Sequence, residues 1–346
     1  MPGRRLLSWV AVLLIGPFGV LAPVDGAEAA GVRAPGPVLR QEVPDPVVVR
    51  AGHRLVAFGT GRTVGRWTAR RATGPWRTAP RALVHRPSWA TGRGGIWGVD
   101  VDRVAGRWVM YFAAPVTGLG KDAHCIGVAT SRSALGRFQP LPGPPLVCPI
   151  LGSEDPAGSA DATLPLAGAI DPNLFTGADG LHLLYKTDRR PSSIRVVTLD
   201  ASGQHVAPGS LSSELIRSND VVENPVLLAG PGGYVLLVSD GDWTRCGYRT
   251  DWYSSASLDH WQTAAAGSLV SAETSGGLCG PGGADVTETS TGPVVFLHGW
   301  TCHGRARPCR GAKKWDHHRG RSHAIRSLYA ARLGWSGGAP VLTRWL

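Results

Sequence analysis

Three short stretches place an acid in the same setting. EVPDPVVV holds Asp45 directly before Pro46, GAIDPNLF holds Asp171 directly before Pro172, and VVENPVLL holds Glu223 one residue short of Pro225. Each acid opens an apolar run that reads as a β-strand. An acid before proline is also a common turn opener, and that accounts for any one stretch taken alone. Three of them in one chain point to parts of a single site. Proline fixes its own φ, donates no backbone hydrogen bond, and biases a residue directly before it toward extended backbone.

Clustered carboxyls suit cleavage of a glycosidic bond. One protonates the leaving oxygen while a second acts on the sugar from the other side. When the second activates water, the pair stands roughly 6.5–9.5 Å apart and the anomeric configuration inverts. A third carboxylate beside the acid keeps it protonated by like-charge repulsion. Other chemistries lack their residues: the sequence has no Gly-x-Ser-x-Gly elbow, no phosphate-cradling Walker loop and no His-Glu-x-x-His zinc site. His317-His318 lacks helical spacing and acid partners, so no metal ligands are assigned.

These acids need elements that bring them together. Helical periodicity is almost absent. LVAFGTG, WVMYFAA, LHLLYKT, YVLLVSD and VVFLHGW are strong strands, each following a Gly-rich or otherwise strand-breaking turn. Behind them recur RWTARRATGPW, GVATSRSALGRF, VVTLDASGQH, WYSSASLDHW and LYAARLGW, each a strand and a turn. Such repetition predicts an all-β fold, a five-bladed β-propeller, with a two-domain β-sandwich as the alternative. In a propeller the innermost strands line a central channel. Asp45, Asp171 and Glu223 then meet at one funnel from blades one, three and four, with Asp100 of GGIWGVDVD in the equivalent place of blade two. Sugar rings pack their C–H faces on aromatic rings. Trp97 and Trp243 are therefore candidate substrate platforms, as Asp100 is a candidate substrate contact, while Trp76, Trp108 and Trp261 are assigned to packing. Residues 153–168 read as a long loop between blades.

Residues 1–30 read as a secretory signal: two arginines, an apolar run, then Ala27-Glu28-Ala29. Gly16, Pro17, Gly19 and Pro23 suit a spanning helix poorly, so a secreted chain without a membrane anchor is expected. Residues 31–346 form a single propeller domain, expected to be monomeric. Six cysteines in an exported chain favour disulfides, and sequence neighbours suggest Cys125–Cys148, Cys246–Cys279 and Cys302–Cys309, one of the fifteen connectivities that six cysteines allow. The net charge of +11 is uneven: from Cys302 to Arg332 nine Lys and Arg face one acid, Asp316. Residues 303–325 read as a basic surface insertion, solvated or in contact with an anionic cell-wall polymer. Its only tryptophan is Trp315, so it lacks the interleaved aromatics of a nucleic-acid groove, and no nucleic-acid partner is expected.

VPDPVVV, IWGVDVDRVAGRWVMYFAA, AIDPNLF and VVENPVLL, in that order, resemble glycoside hydrolase family 43, five-bladed propellers acting mostly on arabinan and xylan side chains. The resemblance runs from about Pro44 to Trp335, and AIDPNLF is its most specific piece. It implies an inverting glycosidase acting on arabinose- or xylose-containing plant polysaccharides or oligosaccharides, with Asp45 as general base, Asp171 as pKa modulator and Glu223 as general acid. Arg326 falls where the family tends to place an arginine near the sugar; a solvated member of the basic stretch is the other reading. Asn224-Pro225 stands where Gly-Pro is usual. The resemblance also implies a calcium or sodium ion on the axis near a fifth-blade histidine. LCGPGGADV has Gly283 at that point, leaving Asp285 or His298 to compensate, so no cofactor is assigned. A carbohydrate-binding propeller without chemistry and a fructan-active relative of the same fold are the alternatives.

Overall fold

The computed structural model describes residues 34–149, 163–259, 261, 264–303, 309 and 324–346. The expected leader, most of the loop at 153–168 and nearly all of the basic stretch 303–325 lie outside them. The described residues hold strands and no helix. Blade one is β1 (Val47–Ala51), β2 (Arg54–Gly59), β3 (Gly65–Ala69) and β4 (Arg77–Thr78). Blade two is β5 (Trp97–Val104), β6 (Arg107–Pro115), β7 (His124–Ser131) and β8 (Gln139–Pro140). Blade three is β9 (Ala169–Gly177), β10 (Gly180–Thr187), β11 (Ser192–Leu199) and β12 (Ser213–Ser218). Blade four is β13 (Val222–Gly230), β14 (Gly233–Asp240), β15 (Arg249–Ser255) and β16 (Ala265–Val270). Blade five is β17 (Cys279–Thr289), β18 (Gly292–Cys302), β19 (Ala324–Ser336) and β20 (Ala339–Trp345). Each blade is a four-stranded antiparallel sheet with its strands side by side in chain order.

The five strong apolar runs are the second strands: β2, β6, β10, β14 and β18. They read as nearly continuous apolar segments because both of their faces are covered, each by a neighbouring blade. Phe58 packs with Met110 and Phe112 between blades one and two. Tyr111 packs with Leu183 and Tyr185 between two and three. Leu184 packs with Leu236 and Val238, Leu237 with Val295 and Leu297, and Phe296 with Ala57 and Trp76 across the closure of the ring. Trp76 and Trp261 are buried, and Trp108 packs partly buried against the first of these cores, as packing residues should. The N-terminal segment closes the ring on the last blade: Val38 N–H donates to Leu328 O at 2.9 Å, Leu328 N–H to Leu39 O at 3.0 Å, and Val43 N–H to Arg326 O at 2.8 Å.

The hub repeats one tripeptide design five times. Asp45-Pro46-Val47, Gly98-Val99-Asp100, Asp171-Pro172-Asn173, Asn224-Pro225-Val226 and Gly283-Ala284-Asp285 together line a small cavity on the axis. The first residue of each has a left-handed φ: 47°, 38°, 53°, 49° and 58°. Only Gly, and Asn or Asp among other residues, adopts this region readily, and those are the types found. The expectation that proline holds Asp45 and Asp171 extended is therefore corrected. In blades two to five the pairing of the inner strand shifts register across this residue and the next, a β-bulge. Proline at the bulge forfeits no ladder hydrogen bond, which is why it is tolerated inside β9 and β13.

The third residue of the tripeptide ties blades together. Asp100 Oδ2 accepts the N–H of Leu174 in blade three at 2.6 Å, and its Oδ1 accepts Val101 N–H at 2.9 Å. Asp285 accepts Val48 N–H of blade one at 2.8 Å together with Val286 N–H, and Asn173 accepts Leu227 N–H of blade four at 3.3 Å. All five equivalent N–H groups thus find a side-chain acceptor. The three expected disulfides, Cys125–Cys148, Cys246–Cys279 and Cys302–Cys309, are present.

Asp100→Ala orphans two buried N–H groups at about 1–3 kcal/mol each, so its urea midpoint should fall well below the parent's. Asp100→Asn keeps an acceptor and should retain most of the stability. An unchanged midpoint for the alanine variant would refute the latch.

Candidate active site

Where the inner strands begin, a cavity of about 1190 Å³, open to solvent, is lined by Asp45, Asp171 and Glu223 together with Trp97, Trp243 and Arg326. Six of the seven candidate residues meet here. Asp100 does not. Blade two's equivalent of Asp45 is Gly98, and Asp100 corresponds to Val47, two residues on. It is 5% exposed on the axis beneath the funnel and is spent on the two N–H groups described above, so it is a structural latch and not a sugar contact. Glu223 also departs from exact equivalence, because the left-handed residue of blade four is Asn224. Glu223 precedes it, in the position that Trp97 holds in blade two.

Asp45 is clamped by three residues. Its N–H donates to His298 Nδ1 at 3.1 Å, the Thr60 hydroxyl donates to its Oδ2 at 2.8 Å, and Arg326 Nη1 lies 3.5 Å from its Oδ1. Burial alone would raise this carboxyl, but Arg326 above all, with the Thr60 hydroxyl and Lys186, holds it below the ordinary carboxylate value. His298 adds no charge above acid pH, since burial and the Arg326 cation push it down to about 3. Arg326 is itself fixed. Its guanidinium carbon stands 4.6 Å over the Trp243 ring, Trp243 stacks on Trp300 at 6.1 Å, and Arg326 N–H donates to Glu42 Oε2 at 3.0 Å.

Asp171 and Glu223 make a contrasting pair. Burial first, then the Glu223 and Asp45 carboxylates, push Asp171 up to about 8 against the opposing Lys186 cation and the Asn224 N–H. Carboxyls that share a site titrate as a unit, so the pair retains a proton at neutral pH. Lys186 Nζ lies 3.0 Å from Glu223 Oε2, and the Tyr248 hydroxyl lies 2.8 Å from both Glu223 Oε1 and Asn224 Oδ1. That hydroxyl has one proton for two acceptors. Glu223 remains 12% exposed toward the funnel.

Glycines make the approach possible. A Cβ on Gly98 would stand 2.8 Å from Asp171 Cα, and one on Gly283 would stand 2.7 Å from His298 Nδ1 and 3.1 Å from Asp45 Cα. His298 thus occupies the space that a side chain at 283 would need. The residues on the axis do not fit a directly bound cation. His298 Nδ1 is taken by the Asp45 N–H, so Nε2 of the neutral ring carries the proton, and both Asp100 and Asp285 are occupied by backbone N–H groups. No group of three or more His, Cys, Asp or Glu among the described residues is arranged to hold a metal. Trp97 stacks on His124 with centroids 3.6 Å apart, which fixes the ring at the funnel wall.

Lys186, Tyr248 and Thr60 escaped the sequence reading, and His298 entered it only as a residue that could compensate for Gly283 near an axial ion. A signal for them exists: Thr60, Lys186, Ser239 and His298 are polar residues at the funnel ends of otherwise apolar second strands. Such a residue, on a strand covered on both faces, needs a partner, and each has one at the hub; Ser239 Oγ accepts the Gly283 N–H at 2.8 Å.

The sequence model for glycosyl hydrolases family 43 matches residues 34–340. The chain belongs to that family. No curated protein matches it by sequence search. Among solved structures it is similar to a thermostable family-43 glycoside hydrolase, at 18% identity and a TM-score of 0.69 over 90% of this chain and 96% of that one. An endo-1,4-beta-xylanase of Bacteroides thetaiotaomicron gives 18% and 0.65 over 90% and 97%. The alpha-L-arabinanase of Cellvibrio cellulosa complexed with arabinohexaose gives 20% and 0.63 over 87% and 95%. At these identities the structures speak for the fold, a five-bladed propeller, and the family match makes the chain a glycosidase.

Raised carboxyls give stability a definite pH dependence. An acid whose pKa is higher folded than unfolded binds its proton first in the native state, so its favourable contribution is complete below the unfolded value and lost as pH rises through the folded one. Asp171 at about 8 and Asp285 at about 7 put that loss between mildly acidic and mildly alkaline pH. The denaturation midpoint should therefore rise as pH falls from about 8 toward 6.5, below which the buried neutral His298, held at about 3, acts in the opposite sense. Asp171→Asn should flatten the alkaline part of the curve, and an unchanged curve would contradict the assignment.

Proposed function

We propose that this glycosidase is secreted and inverting, and that it acts on arabinose- or xylose-containing plant polysaccharides or their fragments. The observation that carries the reading is the division of labour in the funnel: one carboxyl, Asp45, held ionised by Arg326, and a separate pair, Asp171 and Glu223, retaining a proton. Asp45 takes a proton from water as the water oxygen attacks the anomeric carbon. Glu223 gives its proton to the departing glycosidic oxygen. Asp171, buried behind it, supplies the repulsion that keeps the proton on the pair, while Lys186 and Tyr248 set the rotamer of Glu223.

Trp97 and Trp243 offer flat faces for sugar rings, and Arg326, stacked on Trp243, links a platform to the base. The xylanase and the arabinanase among the similar structures support pentose polymers as the substrate class. The N-terminal leader supports export, and the disulfides agree with it.

Glu223→Gln should lose about 10²–10⁴-fold in kcat/KM on arabinan or xylan. It should lose much less on an aryl glycoside, whose leaving group needs little protonation, and should keep its affinity for oligosaccharide. Equal losses on both substrates would remove the general-acid role, and an unimpaired variant would remove Glu223 from catalysis.

A further inference from the structure

At the opposite end of blades one and five lies a second cavity, of about 1020 Å³, formed where the β1–β2 and β17–β18 turns meet the ends of β19 and β20. Six arginines line it: Arg50, Arg54, Arg70, Arg71, Arg332 and Arg344. His53 joins them, and no acidic side chain does. An adjoining cavity shares Arg54 and Arg70 and adds Arg77. Charges of one sign at this density repel one another and are ordinarily interspersed with acids. None of these arginines forms an ion pair with a described carboxylate. Arg332 is instead braced by backbone, its Nη1 donating to Thr291 O at 2.7 Å, and Arg50 Nε donates to Gly52 O at 3.3 Å. The side chains lining the cavity thus bring together guanidinium groups and no carboxylate.

We propose that this cavity is a binding site for the carboxylates of a uronate-bearing polysaccharide, separate from the funnel and independent of the catalytic reading. The planar guanidinium fork matches a carboxylate with two parallel hydrogen bonds. Hydroxyls of Thr73, Thr289, Ser290 and Thr291 in the same lining suit sugar hydroxyls. The lining has no aromatic ring on which a nucleobase would stack, which disfavours single-stranded nucleic acid. Charge also directs such a polymer here and not to the funnel, whose lining carries five acids (Asp45, Asp171, Asp188, Glu223, Asp242) against Lys186, Arg190 and Arg326. A uronate backbone held at this end retains the enzyme on an acidic polymer while the funnel stays free for neutral pentose chains.

The test measures binding of the full chain to polygalacturonate by affinity electrophoresis, with Arg50→Ser/Arg54→Ser/Arg71→Ser beside Arg62→Ser/Arg132→Ser/Arg137→Ser. The second triple removes the same charge from exposed positions elsewhere. The cavity triple should bind roughly tenfold or more weakly, with a shallower salt dependence, and the control should stay near the parent. Both should keep the parent's melting temperature and its turnover of a small neutral glycoside. Equal losses in the two triples, or none in the cavity triple, would overturn the site. Inorganic polyphosphate competing as well as polygalacturonate at equal charge would overturn the uronate assignment.

Discussion

The structure depends on one backbone event repeated around the axis: a left-handed residue and a bulge at the start of each inner strand. It confines the first residue of every hub tripeptide to Gly, Asn or Asp. It also redirects the chain so that the following residue can be proline and the third can reach the neighbouring blade. Two of the five left-handed positions carry the acids Asp45 and Asp171, and a third, Asn224, sets Glu223 one residue before it. Funnel carboxyls and inter-blade latches are therefore products of the same tripeptide. The acid sits at its first residue in blades one and three, and the latch at its third residue in blades two, three and five.

Around that frame the funnel separates two carboxyl environments by the placement of cations. Arg326 and Lys186 are both buried among acids, but Arg326 is stacked on Trp243 and directed at Asp45, whereas Lys186 is paired with Glu223. Burial pushes both Asp45 and Asp171 upward. The near cation decides for Asp45, and the near anions decide for Asp171. Removing water strengthens these contacts, so the low and high carboxyls are held apart before any sugar arrives.

Much of this was legible in the sequence. The second strands announced themselves as apolar runs because neighbouring blades cover both faces, and the five recurrences behind them gave the blade count. Asp45 and Asp171 were legible because proline marks the bulge, and the disulfides because the paired cysteines are sequence neighbours. Asp100 was misplaced by two residues for a physical reason: a two-residue slip preserves the side-chain parity of a strand, so GVD reads like a displaced DP when no proline marks the bulge. The left-handed geometry was hidden because proline's usual effect on the residue before it is overridden at the hub. Lys186 and Tyr248 were not read as site residues because Lys186 lies on a second strand and Tyr248 just before a third, and their approach to the axis is a matter of tertiary packing.

The central claim is that Asp45 activates water and forms no bond to the sugar. Proton NMR of the first product formed from an arabinan or xylan oligosaccharide, read before mutarotation, tests it most directly. The account predicts that the newly released sugar appears with the anomeric configuration opposite to that of the bond cleaved. Release with the configuration retained would make Asp45 a nucleophile and place the enzyme with fructan-type chemistry on the same propeller.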